Sequence, residues 1–192
     1  MYTINIDYSS YYWQNDRVRL RRATIDDWDA FYLNYFDSAA RFLLDSEIEL
    51  PLDEEGAKER WREFIESTAR SKNFIFTIET HDGQKVGSAY LNSINERNGT
   101  FCLGMIVDRN CRGQGFGTSA LKIILDYAFN ERRLHKYSGF VIEGNAGSAT
   151  MLEKIGCKLE GIVREMIYRK GRHWDEIHYG ITAREFNEKW NR

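Results

Sequence analysis

The chain has little to tie it together covalently and nothing to hold it in a membrane. Of its 192 residues, three are cysteine and one is proline. Cys102, Cys111 and Cys157 are too few and too widely spaced for a disulfide framework, and they give no zinc-ligand spacing. No apolar run approaches the roughly 20 residues that span a bilayer. The N-terminus, Met1-Tyr2-Thr3-Ile4-Asn5-Ile6-Asp7, has neither the basic segment nor the apolar core of a secretory signal. Lysine and arginine number 27 against 29 acidic residues, for a net charge of -2, and they are scattered. A nucleic-acid surface is therefore not favoured. These absences predict a cytoplasmic protein with no nucleic-acid partner, no membrane and no metal. There is no internal repeat, low-complexity tract or linker, so residues 1–192 read as a single domain, with 1–16 as a lead-in segment.

What is present is ordinary for a globular protein: 42% hydrophobic and 29% charged residues, enough for a full core. The lead-in carries Tyr8, Tyr11, Tyr12 and Trp13, expected to pack on the domain or on a second subunit. Residues 18–21 alternate as a first strand. Thr24 with Asp27 three residues later starts a helix whose Trp28, Phe31, Tyr32 and Tyr35 share a face, read as a core stripe. A connection holds Pro51, and Glu47 and Glu49 within it read as a solvated acidic loop rather than the wall of an amine site. A second helix begins near Asp53, with Ala57, Trp61, Phe64, Ile65 and Thr68 on one face. Strands follow over 74–79, 86–91 and 100–107, joined by turns at Asp82-Gly83 and Asn98-Gly99, which makes an antiparallel meander.

The last of these strands runs into Asp108-Arg109-Asn110-Cys111-Arg112-Gly113-Gln114-Gly115-Phe116-Gly117-Thr118, and then into an amphipathic helix. A strand that feeds a glycine loop opening a helix is a phosphate site. The first helical N–H groups lack intrahelical partners, and glycines let a ligand come close to them. Arg112 adds a positive charge. No Gly-Lys-Ser/Thr follows, so the Walker pattern fails, and the dinucleotide fingerprint is missed by one residue. Cys111 beside the loop reads as a small turn residue, because no histidine lies near it in sequence. Beyond the helix, residues 134–142 form a strand that should run parallel to 100–107, since a helix connects them. A short helix carries Ser148, Met151, Leu152 and Ile155 and is ended by Gly156. Strands over 162–168 and 173–183 close the chain, followed by a polar tail over 184–192 with room for one helical turn.

The loop's Arg112-x-x-Gly115-x-Gly117 resembles the pyrophosphate loop of the GNAT superfamily of acyl-CoA-dependent N-acetyltransferases. A second motif matches downstream: Asn145-Ala146-Gly147-Ser148, then Leu152-Glu153-Lys154-Ile155-Gly156-Cys157, with Cys157 where phenylalanine is usual. Residues 159–165 and 171–175 are similar to the branch holding ribosomal-protein N-terminal acetyltransferases and spermidine acetyltransferases. The resemblance covers roughly residues 18–185. It implies an α/β (α+β) GNAT fold: a mixed, mostly antiparallel twisted sheet with a splayed parallel strand pair, flanked by helices. It implies acetyl-CoA as cosubstrate, a primary amine as acceptor (a protein N-terminus, a polyamine or a small amine), direct attack in a ternary complex, and a homodimer as in relatives.

The resemblance also implies site residues. Backbone groups of Ile106 and Val107, and of Ile142 across the cleft, would pair with the pantetheine arm. Arg112, Gly113, Gln114, Gly115, Phe116, Gly117 and Thr118 would hold the pyrophosphate, with Asn145 and Ser148 reaching the cofactor. Helix capping by Asn145 and packing of Ser148 are equally open. Many members use a tyrosine as the acid for the departing thiolate, but Leu152 stands at that position. In the ribosomal-protein branch a serine is the proposed acid, and it maps onto Ser148. For the base, Glu165 is the expectation, with Glu79 also on a strand able to face the cleft. Cys102 occupies the place, two residues before the strand glycine Gly104, where some relatives carry glutamate. The rival reading is a module that senses acyl-CoA without turnover; a nucleotide-binding oxidoreductase fits less well.

Overall fold

A computed structural model describes residues 6–45, 50–70 and 73–190. Among these residues, seven strands form one sheet: β1 (Arg19–Arg22), β2 (Phe74–Glu79), β3 (Lys85–Asn95), β4 (Thr100–Val107), β5 (Lys136–Ile142), β6 (Lys158–Arg169) and β7 (Arg172–Thr182). Their spatial order is β1-β2-β3-β4-β5-β7-β6. Every neighbouring pair is antiparallel except β4 and β5. The helices are α1 (Trp28–Tyr35), α2 (Ser38–Asp45), α3 (Glu54–Ala69), α4 (Phe116–Asp126, continued by a π-helical turn to Glu131), α5 (Ala146–Ile155) and α6 (Ala183–Trp190).

Strand alternation sets which helix packs where. On β2, Phe76 and Ile78 enter the main core with Leu121, Ile124 and Leu125 of α4, and with Leu152 and Ile155 of α5 and Phe186 of α6. Ile75, one residue out of phase, packs instead with Ala23 and Trp61, against Phe31 and Phe64. Successive strand residues point to opposite faces. So α4, α5 and α6 cover one face of the sheet, while α1 and α3 cover the other over β2. A small third cluster, Phe42 with Ile142 and Ile167, lets α2 bridge towards β5 and β6.

Several boundaries differ from those read in the sequence. Helix α2 was not expected; it is only two turns long and its apolar residues bunch, yet Phe42 is 1% exposed. The aromatic stripe of α1 is half-buried rather than core, with Phe31 stacked on Trp61 at 5.0 Å. Strand β6 starts four residues early, at Lys158. The polar tail is the two-turn helix α6, anchored by the fully buried Phe186. The lead-in packs on its own domain. Trp13 lies between Phe76 and Tyr127, and the hydroxyls of Tyr11 and Tyr12 donate to Leu20 O (2.9 Å) and Asp126 Oδ2 (2.7 Å). Glu47 and Glu49 lie outside the described residues.

Candidate active site

Strands β4 and β5 pair only at Thr100–Lys136 and Phe101–Tyr137, and then part. The register fixes which backbone groups face the gap. Asp108 N–H donates to Val86 O (2.9 Å), and Val107 sits opposite Gly87. Backbone groups alternate sides along an antiparallel ladder, so those of Leu103, Met105 and Val107 turn into the gap, while those of Ile106 are used by β3. This corrects the expectation for Ile106, which lines the site without offering its amide. On β5, Glu143 N–H donates to Asp175 O on the β7 side (2.9 Å), so the groups of Phe140 and Ile142 face the gap. The Ile142 carbonyl is already taken by Asn145 N–H at 3.0 Å.

The glycine loop follows β4. Gly113 and Gly115 have φ of 77° and 85°, the left-handed region that side chains avoid. Gly115 ends the loop at the N-terminus of α4, and Ser119 N–H makes the first bond back to its carbonyl. The N–H groups of Phe116, Gly117 and Thr118 have no partner inside the helix. A side chain at Gly117 would meet Met151 Sδ at 3.0 Å and Val107 Cγ2 at 3.2 Å, so this glycine seats α4 directly on β4 and α5. Arg112 is not a free charge. Its Nε donates to Val107 O (2.8 Å), and its Nη1 pairs with Asp37 Oδ2 (2.8 Å) just before α2. A second cation, Arg17 Nη1, lies 3.5 Å from Gln114 O.

The second motif opens α5. Asn145 Oδ1 accepts Ser148 N–H at 3.1 Å, so this asparagine is the helix N-cap. Gly156, at φ 112°, ends the helix. The far end is held by α6, where Trp190 Nε1 and Lys189 Nζ donate to Ile155 O (2.8 Å) and Lys154 O (2.7 Å). Between α5, the glycine loop and α2 runs a groove of about 850 Å³. It is lined by Val107, Arg112, Gly113, Gly115, Phe116, Gly117, Thr118, Asn145 and Ser148, together with Ile106. Gln114 and Ile142 are not among its lining residues. These features fit a pantetheine pyrophosphate: outward-turned strand amides, a loop open where side chains would stand, and free helical N–H groups.

A second cavity, of about 390 Å³, lies on the α1–α3 face of the sheet. Phe31, Trp61, Phe64 and Tyr90 form its aromatic wall. It shares Leu44, Asn92, Gly104, Met105 and Ile106 with the groove, so the two meet on β4. Two carboxylates line it, Asp27 and Asp108. Asp27 is 4% exposed and accepts from both Arg21 Nη atoms (2.8 and 2.7 Å), Thr24 N–H (2.9 Å) and Thr77 Oγ1 (2.9 Å). Burial pushes its carboxyl up, but Arg21 and these hydrogen bonds more than offset that and hold it well below the carboxylate range. Asp108 accepts from Asn34 Nδ2 at 3.2 Å, and burial pushes its carboxyl above the ordinary value.

The expected bases are elsewhere. Glu79 is buried between Arg19 (2.6 Å) and Arg21 (2.8 Å), a core ion network. Glu165 is exposed at φ 57° in an irregular stretch of β6, its N–H on Asp175 Oδ1 (2.9 Å), and it lines neither cavity. Cys102 does line the groove, but burial raises its thiol and so disfavours a thiolate. Asp108 and Asn34, 74 residues apart in sequence, escaped the sequence reading because only the fold brings them together.

A family model described as an acetyltransferase (GNAT) domain matches residues 17–158. The chain is 29% identical over 178 residues to the SPbeta prophage-derived uncharacterized N-acetyltransferase YokL of Bacillus subtilis, a match covering 91% of this chain and 95% of that one. It is 26% identical over 111 residues to the spermidine N(1)-acetyltransferase of Escherichia coli, across 58% and 59% of the two chains. Among solved structures, the Vibrio cholerae spermidine N-acetyltransferase in complex with CoA and spermine superposes with a TM-score of 0.77 at 21% identity, covering 90% of this chain and 99% of that one. Mycobacterium smegmatis RimJ in complex with CoA-disulfide gives 0.74 at 25% identity, covering 88% and 83%. With its splayed strands, glycine loop and matched domain, the chain belongs to the GNAT family of acetyl-CoA-dependent N-acetyltransferases.

Proposed function

We propose that both substrates bind at once, acetyl-CoA in the groove and a primary amine in the aromatic cavity, and that the amine attacks directly. The observation that carries this reading is the meeting of the two cavities at residues 104–106 of β4. Holding two reactants at one point removes much of the entropic barrier to their reaction. A module built only to sense acyl-CoA has no use for a second, aromatic cavity opening onto the same strand.

Acetyl-CoA, when bound, supplies an acyl group activated as a thioester. The chain's own residues do the rest. The N–H groups of Phe116, Gly117 and Thr118 receive the pyrophosphate, and Arg112, held by Asp37 and Val107 O, braces the loop beside them. The amides of Leu103, Met105 and Val107 pair with the pantetheine arm and offer a donor to an acyl oxygen as it gains charge. Ser148, half-buried on the first turn of α5, donates a hydrogen bond to the departing sulfur, the part that Leu152 cannot play. The acceptor belongs to one of three classes: a protein N-terminus, a polyamine or a small amine. The test is free-thiol release from acetyl-CoA against a panel of polyamines, short peptides with free N-termini and aminoglycosides. Amine-dependent release supports the reading. CoA binding with no release on any amine favours the sensing module.

A further inference from the structure

Building on the two-cavity reading, we propose that Asp108 is the group that receives the acceptor: it pairs with the incoming ammonium and takes its proton. The N–H bond of the ammonium breaks, an O–H bond forms on the Asp108 carboxylate, and the neutral amine moves on with its lone pair free. The proton then passes to solvent, which the half-buried carboxyl still reaches.

Residues 104, 106 and 108 share a face under strand alternation. Gly104 and Ile106 lie where the cavities meet, and Asp108 is the next residue on that face, in the acceptor cavity only. At about 3.3 Å per residue it stands about 7 Å along the strand from Ile106. An amine entering past Asp108 is thus led to the meeting point along one strand.

Of the two carboxylates in the cavity, Asp27 is committed to Arg21, Thr24 and Thr77. Asp108 has a neutral amide, Asn34, as its described side-chain partner, and Asn34 is itself anchored on Ala30 O at 2.9 Å. The cations that reach Asp108 through space, Arg112 and Lys85, are engaged elsewhere: Arg112 with Asp37 and Val107 O, Lys85 with Asp29 (2.6 Å). Asp29 adds a repelling negative charge, and Arg41 and Arg60 line the same cavity. Four aromatic rings line the cavity, surroundings that suit a cation. A carboxyl raised by burial is better matched to proton transfer near neutral pH than a solvated one.

Asp108→Asn tests the proposal, because the amide can still accept from Asn34. With the best amine of the panel, kcat/KM should fall about 100-fold, the acidic limb of its pH profile should vanish, and acetyl-CoA affinity should hold. Asp108→Glu should recover part of the rate together with the limb. Retention of kcat/KM within about twofold, or loss of rate with the acidic limb intact, overturns the proposal. Calorimetry of amine binding to CoA-loaded protein separates it from the reading beneath it. If the wild type binds an amine without turnover and Asp108→Asn does not bind, recognition by Asp108 stands and the enzymatic reading falls. If the wild type binds no amine and turns none over, both fall.

Discussion

Asp27, Asp37 and Asp108 have the same side chain, and their surroundings give them different roles. Asp27 is structural. Asp27→Asn removes the charge that both Arg21 Nη atoms meet, while the half-buried Arg21 keeps Glu79, and should cost about 1–3 kcal/mol in urea unfolding at neutral pH. Its lowered carboxyl fixes the sign of the pH dependence. Asp27 stabilises the fold above the unfolded value near 3.9, and that contribution is lost as pH falls through the folded value below it. Acid titration should show the mutant losing less stability than wild type below about pH 4. Asp108 has the opposite sign. Its raised carboxyl costs stability once ionised, so Asp108→Asn should melt no lower than wild type at neutral pH, a result a structural carboxylate would not give. Asp37 joins the glycine loop to α2 by pairing with Arg112. The glycine loop was legible in the sequence because it is local, with Gly113, Gly115 and Gly117 standing between a strand and a helix, whereas capping by Asn145 was left open beside a cofactor contact and only its bond from Ser148 N–H decides for the cap. Asp108 was not, since its meaning depends on Asn34 and on aromatic residues from α1 and α3.

Among the elements, α6 was read only as a polar tail with at most one helical turn, although its start was written in the sequence. Thr182 and Glu185 form a capping box: Thr182 N–H donates to Glu185 Oε2 (2.9 Å), and Glu185 N–H donates to Thr182 Oγ1 (3.3 Å). A hydrogen bond from Lys158, aided by Thr182, holds the Glu185 carboxyl down to about 2. The polar surface of the helix concealed one buried anchor, Phe186. Thr182→Ala should cost about 1 kcal/mol, and Phe186→Ala about 3–5 kcal/mol, both measured by chemical denaturation. Because α6 holds the end of α5 through Trp190 and Lys189, Phe186→Ala should also weaken acetyl-CoA binding under conditions where it remains folded. Helix α2 was hidden for a different reason: at two turns it is too short to show a period, and Phe42 finds its partners on β5 and β6. The meander and the parallel crossover were legible because alternation, Asp-Gly and Asn-Gly turns and a connecting helix each state them locally.

For the whole molecule, the sheet parts between β4 and β5, and the two cavities come together on β4 beside that parting. The groove is built by two contiguous motifs, which is why it could be read from the sequence. The aromatic cavity is assembled from α1, α2, α3 and the meander β2 to β4, spread over residues 27–108, which is why it could not. Saturating cosubstrate should tighten the folded state as a whole. At 100-fold over its dissociation constant, acetyl-CoA should add about 2.7 kcal/mol, visible as a rise in melting temperature that Gly115→Trp abolishes. The central claim is amine acetylation, and its most direct test is thiol release from acetyl-CoA by wild type and Gly115→Trp, with and without the amine panel. The account predicts release that depends on an amine, with matching acetylated product, and its loss in the variant. Wild-type protein that binds acetyl-CoA yet releases no thiol with any amine, or that fails to bind it at all, would contradict the account.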